Sequence, residues 1–273
     1  MKISTNPQSL LAQRTLRNNG QEKDKVLSQL ASGERIYQAG VDPAGLAISE
    51  KMKASIRSTA MAKRNVNDAI SMVQTADGSL DVMSGMSIRM RELALQAAND
   101  TMGQSERKMV DLEFQQLKTE IDRVVAQTEF NGKKLLSGKD SNYDFQVGIS
   151  AARSNVLAYD VGDAVKQLGS LGLESNNVRS KISSQNALSK MDNVLDKISK
   201  SRASLGSLNG RMDSSLQNLG VSEENLSSSN SQIRDTDIAK AASDKVKLSI
   251  IGEAATATLA QTNQTSKNAL KLL

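Results

Sequence analysis

The chain is predicted to be mainly α-helical: long antiparallel helices forming a coiled-coil-like bundle, with a small β element near the middle of the chain. Three observations carry this. Proline occurs only at Pro7 and Pro43 of 273 residues, so nothing after Pro43 removes a backbone donor or clashes with a preceding turn. Apolar residues recur at steps of three and four over long stretches, close to the roughly 3.5-residue repeat of a helix seam packed on other helices. The period changes to two at one place only, near Tyr143 to Ile149, as in a half-buried strand.

The elements follow in order. Asn6-Pro7 and Asp42-Pro43 each read as an N-cap followed by Pro at the first helical position. The first opens a helix over about 5–36, with Leu10, Leu11, Leu16, Val26, Leu27 and Leu30 on one loose face. The second opens a helix over about 44–98, roughly 80 Å long at about 1.5 Å per residue. Its seam runs Val66, Ile70, Val73, Ala76, Leu80, Met83, Ser87, Met90, Leu93, Ala97. Gly78 and Gly85 lie inside it. Each costs about 1 kcal/mol relative to Ala, which predicts close approach by a neighbouring backbone.

Asn99 to Gly103 is a turn, and Ser105 is expected to cap the next helix. There Val110, Phe114, Leu117, Ile121 and Val124 keep the same spacing. Asn131-Gly132 and Ser137-Gly138-Lys139-Asp140 are turn signals. The strand Tyr143–Ile149 has a partner predicted at Asn155–Tyr159, and residues up to about Asn177, with Gly162, Gly169 and Gly172, read as irregular. A second long seam follows: Leu188, Met191, Leu195, Ile198, Arg202, Leu205, Asn209, Met212, Leu216, Leu219. Arg202 and Asn209 are its polar positions, of the kind that fix register. A last helix spans 244–273, with Val246, Ile250, Ala254, Ala257, Leu270 and Leu273 on one face. The two terminal helices show no evident intramolecular core. Such helices are marginal in water and are expected to order against neighbours.

Composition narrows the function. The chain has no Cys, no His, no Trp and six other aromatics. That excludes zinc fingers, the usual catalytic zinc sites and Ser–His–Asp chemistry, and leaves no base-stacking platform. The net charge of +5 is spread thinly, although the first 64 residues hold eleven Lys and Arg against five Asp and Glu. This is a solvated surface of mixed sign rather than a nucleic-acid footprint. No apolar run approaches the ~20 residues that span a bilayer. The N-terminus has no apolar core region or cleavage site of a secretory signal. No phosphate loop, metal cluster or catalytic constellation is present, so the expectation is a non-enzyme without cofactors, and without nucleic-acid or membrane partners. By periodicity alone the chain fits any coiled-coil structural protein. The signalling hairpins of methyl-accepting receptors share the composition but lack the β element.

The motifs are more specific. Ile3-Ser4-Thr5-Asn6 with Ser9-Leu10-Leu11-Ala12-Gln13-Arg14, then Leu30 to Ile36, Ala44 to Met52, Arg91 to Gln96 and Phe130 to Leu136 occur in order. Gln146-Val147-Gly148, Arg202 to Gly206, Glu224-Asn225-Leu226, Ile233 to Ala239 and Leu259 to Gln264 follow. This series, spanning nearly the whole chain, resembles the bacterial flagellins. The chain departs from their pattern at Glu34, Tyr37, Val41-Asp42-Pro43 and Ser228 to Asn230, and only 137–177 is available for outer domains. The resemblance implies a short flagellin, a structural subunit that self-polymerises into the helical filament used for motility. A hook–filament junction protein is the alternative within the same apparatus. It implies a division into paired terminal helices, 1–42 and 235–273, that form an inner assembly domain, and an outer helical domain, 43–234. The assembly contacts would be Leu10, Leu11, Leu27, Leu30, Val246, Ile250, Leu259, Leu270 and Leu273. Implied partners are other copies or other flagellins, a flagellar export chaperone, and the filament cap and hook-junction proteins. The implied location is the extracellular filament, reached by the flagellar type III route without a cleaved signal peptide. Arg89, Leu93 and Glu113 match the positions by which some flagellins are recognised by a Toll-like receptor, and Ile88 stands where that pattern has Gln.

Overall fold

Five long helices make up most of the described chain: α1 (Pro7–Ser32), α2 (Pro43–Ala97), α3 (Gln104–Gln127), α4 (Lys181–Arg234) and α5 (Ile238–Lys271). Between α3 and α4 lie two antiparallel strand pairs, β1 (Glu129–Phe130) with β2 (Lys133–Lys134) and β3 (Asn142–Gln146) with β4 (Val156–Asp160). The computed structural model describes residues 6–136, 142–160 and 177–271. The predicted turn at 137–140 and most of the irregular stretch to Asn177 lie outside the described residues, as do Ile3, Ser4 and Thr5 of the first motif. The chain forms two compact units: Arg57–Glu223, and Met1–Ile56 with Glu224–Leu273.

The unit Arg57–Glu223 is held by the predicted seams. Of the α2 seam, every residue from Val66 to Ala97 is buried except Ile70, which packs partly buried against the same core. The polar member Ser87 is tolerated because its hydroxyl donates to the Met83 carbonyl at 2.8 Å, within its own helix. Val110, Phe114 and Ile121 of α3 enter this core, as do Tyr143, Val147 and Leu157 from the β3–β4 pair. The β1–β2 turn is the predicted Asn131-Gly132, with φ of +49° and +77°. Both values are left-handed, the pairing that a two-residue hairpin turn requires.

Four expectations are corrected. The α4 seam passes through Val194, Ser201, Leu205, Leu208 and Met212. Arg202 sits beside it and reaches Asp77 at 2.9 Å and Asp81 at 2.7 Å on α2, and Asn209 is half-buried. A small Ser can pack where a charged side chain would need a buried partner. Secondly, among the described residues an added Cβ at Gly78 or Gly85 would meet nothing within 4 Å, so none of their backbone approaches either glycine. Thirdly, α3 begins two residues earlier than a Ser105 cap implies, at Gln104 after Gly103, with no side-chain cap. Fourthly, β3 ends at Gln146 and Ile149 is 52% exposed. After Val147, which donates to the Asn155 carbonyl, the chain bends away from the ladder.

One buried carboxylate fastens the start of α4. Asp111 of α3 accepts from the Val178 backbone N–H at 3.0 Å and from Arg179 Nε at 2.6 Å, with its side chain 2% exposed. Burial pushes its pKa up, but the Val178 N–H, Arg179 and Gln115 together outweigh that and hold it below the usual carboxylate value. A depressed folded pKa contributes stability above the unfolded value of 3.8, and that contribution is lost as pH falls through the lower folded value. D111N is therefore expected to lower the melting temperature at neutral pH by the equivalent of about 1–3 kcal/mol. The difference from wild type should shrink below pH 3.8. Thermal melts across pH check this, and an offset that stays constant into acid would refute it. G78A and G85A should each stabilise the isolated chain by about 1 kcal/mol, read as a higher denaturation midpoint.

Candidate functional site

The second unit gathers both chain ends. Asn6 caps α1 by accepting from the Ser9 N–H at 3.3 Å, and Pro7 sits in the first turn as predicted. The helix stops at Gly33, whose φ of +71° is left-handed, a conformation glycine adopts without penalty. Residues 33–36 are thus outside the helix, where the sequence predicts it to continue. Here they meet the α4–α5 junction: Arg35 N–H donates to the Arg234 carbonyl at 2.6 Å and Thr236 N–H to the Gly33 carbonyl at 2.9 Å. The Arg234 side chain pairs with Glu34 at 2.8 Å, with Glu50, and with Ser49 Oγ at 3.0 Å. Ile36 is fully buried beneath this joint. A Cβ at Gly45 would run into the Asp42 carboxylate that caps α2 through the Gly45 N–H, and into Ile36 Cδ1, so a larger residue there would displace the cap or the buried Ile36.

Beyond the joint, α1 and α5 run antiparallel as a pair, Asn19 opposite Leu248 and Asn6 opposite Thr262. The sequence gives no sign of this contact because little of it is apolar. Only Ser9 of α1 is fully buried. The apolar side chains face outward instead: Leu10 and Leu11 are 59% exposed, Val246 58%, Ile250 61% and Leu27 38%. Leu30 and Leu259 are half-buried between the helices. The Leu270 side chain and Leu273 lie outside the described residues. Ser243, Val246, Lys247, Ile250 and Ile251 line an open, mainly apolar groove on α5. An exposed apolar stretch of this kind on a helix pair marks an interaction surface.

The residues singled out for receptor recognition lie in the other unit. Arg89 donates to Glu113 at 2.9 Å and to Glu92 at 3.1 Å, all three exposed. Leu93 is 1% exposed and belongs to the core seam, so the three do not form one accessible patch. Among the described residues no helix is long and apolar enough to cross a membrane.

Comparison with known proteins agrees with this architecture. The bacterial flagellin N-terminal helical region matches residues 3–141 and the bacterial flagellin C-terminal helical region matches residues 188–273. A flagellin of Halalkalibacterium halodurans is 36% identical over the full length of both chains. A flagellar filament core protein of Treponema maltophilum is 32% identical, again over all of both. The crystal structure of Bacillus cereus flagellin, 31% identical, aligns with a TM-score of 0.50 over 57% of this chain and 88% of that one.

The core position of Leu93 and the surface position of Arg89 separate in a simple experiment. L93D buries an unpaired charge and should cost several kcal/mol, about 3 or more. R89A removes an exposed ion pair and should cost about 0.5 kcal/mol or less. Equal melting temperatures for the two variants would contradict the burial.

Proposed function

The chain belongs to the bacterial flagellin family, and we propose that the α1–α5 pair is the segment through which this filament subunit joins its neighbours. As a member of that family it is a structural subunit of the flagellar filament and assembles with itself. The observation that supports the pair as the joining segment is the exposure of Leu10, Leu11, Leu27, Val246 and Ile250 on helices that bury almost nothing between themselves. Burying one such side chain is worth roughly 1.5–3 kcal/mol, and the gain recurs at every subunit. Contacts between unlike patches that do not close on themselves generate an open helical polymer.

In this reading residues 1–42 and 235–273 line the inner wall of the filament and 43–234 form the outer wall. Other flagellins in a mixed filament would use the same contacts. The same reading would take the chain out through the flagellar type III channel, with a chaperone on the C-terminal segment and the cap and hook-junction proteins as further partners. The absence of Cys suits passage as an unfolded chain, since no disulfide could hold a loop closed. Recognition by a Toll-like receptor would have to use Arg89 and Glu113 without Leu93 in this conformation.

I250D and L11D test the assignment. Each places a charge on the outward face of the pair, away from the core of Arg57–Glu223. The soluble variants are expected to melt like wild type in that unit, while elongation of wild-type filament seeds, followed by light scattering and electron microscopy, should stop. Normal elongation by both variants would remove the α1–α5 face from the assembly contact.

A further inference from the structure

The joint at Gly33 and Thr236 fixes the register of α1 against α5 at one end, and along the rest of the pair cross-helix contacts have to hold it. Leu16, Leu30, Leu248 and Leu259 are only half-buried, so apolar burial does little to resist a slip of the far end. Polar groups inside a helix pair act differently, since a slip leaves them unpaired. Asn19 is such a group. Its Nδ2 donates across the pair to the Leu248 carbonyl at 2.8 Å, and its Oδ1 is enclosed without a partner among the described residues. The amide lies against Gly252, where an added Cβ would be 3.0 Å from Nδ2. Gly252 is the single glycine of α5. A shift of α5 by one turn would bring Leu248 or Thr256 to that seat, each with a side chain in the space the amide occupies. Neither one-turn shift leaves Asn19 a seat free of a side chain.

We propose that Asn19, seated on Gly252, holds the register of α1 against α5 beyond the joint, and so aligns the exposed apolar residues of the two helices into one surface. The remaining cross-pair bonds are consistent with that single register: Thr236 to Gly33 at one end, and Asn6 to Thr262 and Ser9 to Asn263 at the other. Asn19 is a positioning residue, acting on the surface and not in it. The inference rests on the filament reading above for its consequence, though not for its geometry.

The chain has no Cys, so any introduced pair reports alone. S9C/N263C marks the native register, since the two side chains meet at 3.2 Å. S9C/A260C and S9C/K267C mark a slip of about one turn to either side. Oxidative cross-linking is measured in filaments grown on wild-type seeds, with Asn19 and with N19A. The native cross-link is expected to fall by about two- to tenfold in N19A, the factor one hydrogen bond supplies, while a slipped cross-link rises. G252A should produce the same shift beside Asn19 and no further shift in N19A/G252A, because its effect passes through the amide. An unchanged native cross-link in N19A overturns the proposal. So does a loss of the native cross-link with no rise in a slipped one, which would make Asn19 a clasp without a role in register. If N19A subunits do not add to seeds, the same yields in the soluble chain, where α1 and α5 are already paired, decide the matter. Wild-type chain that fails to polymerise would instead overturn the filament reading and leave the register measurement intact.

Discussion

The buried stripe of α2 from Val66 to Ala97 is the constraint on which the rest of the structure depends. It is a run of side chains on one face of a single uninterrupted helix. A stripe of that length cannot be hidden by local folding and has to be covered by other long helices. α3 and α4 supply the cover, and the small strand pairs close the core with Tyr143, Val147 and Leu157. Once this is set, ion pairs such as Arg91 with Asp192 at 2.7 Å and Arg202 with Asp77 align the helices at the margin. They are exposed enough to contribute little stability of their own. Asp111 differs because it is enclosed. Its cost of burial is met only if Val178 and Arg179 stay where they are, so it ties the entry of α4 to α3.

The unit holding the chain ends is built on another principle. It has a solid joint at Ile36 and Arg234 and a helix pair with scarcely any buried apolar surface. In most proteins this would be a defect. In the assembly proposed above, it divides the labour: hydrophobic burial in Arg57–Glu223 folds the monomer, and the apolar residues left on α1 and α5 would serve contacts with other copies. Polar contacts can then specify the pairing of α1 with α5 without consuming the surface that assembly needs.

This division explains what the sequence made legible. Where burial drives folding, spacing is a faithful record. The α2 seam, the α3 face and the Asn131-Gly132 turn were readable residue by residue, because apolar periodicity and left-handed turns leave direct marks. In α4 the pattern misled by one residue. Ser201 packs in the core but counts as polar, so the eye follows Arg202, whose charge points to Asp77 and Asp81. The pairing of α1 with α5 was implied by the resemblance but left no mark in the spacing, since Asn19, Ser9 and Asn6 make no hydrophobic pattern. The joint at Arg234 was equally silent, because an ion pair between Glu34 and a residue two hundred positions away has no spacing to detect. Gly78 and Gly85 were overread. A helical glycine does not by itself require a close neighbour, and among the described residues none lies within 4 Å of a Cβ at either position.

The exposed apolar residues also have to be kept from the wrong partners. A helix pair with bare leucines would associate in any orientation, and the sequence counters this with charge. Arg14, Arg17, Lys23 and Lys25 punctuate α1, while Lys245 and Lys247 flank Val246 on α5. With only Glu22 and Asp24 to offset its arginines and lysines, α1 is net positive, so two α1 faces brought together would repel, which disfavours symmetric pairing of the kind that closes into a dimer. Docking of unlike patches leaves a free surface at each end of the growing polymer. Apolar area therefore supplies the attraction and the lysines and arginines restrict its geometry, so the same few turns of helix favour an open-ended filament over a closed or disordered aggregate.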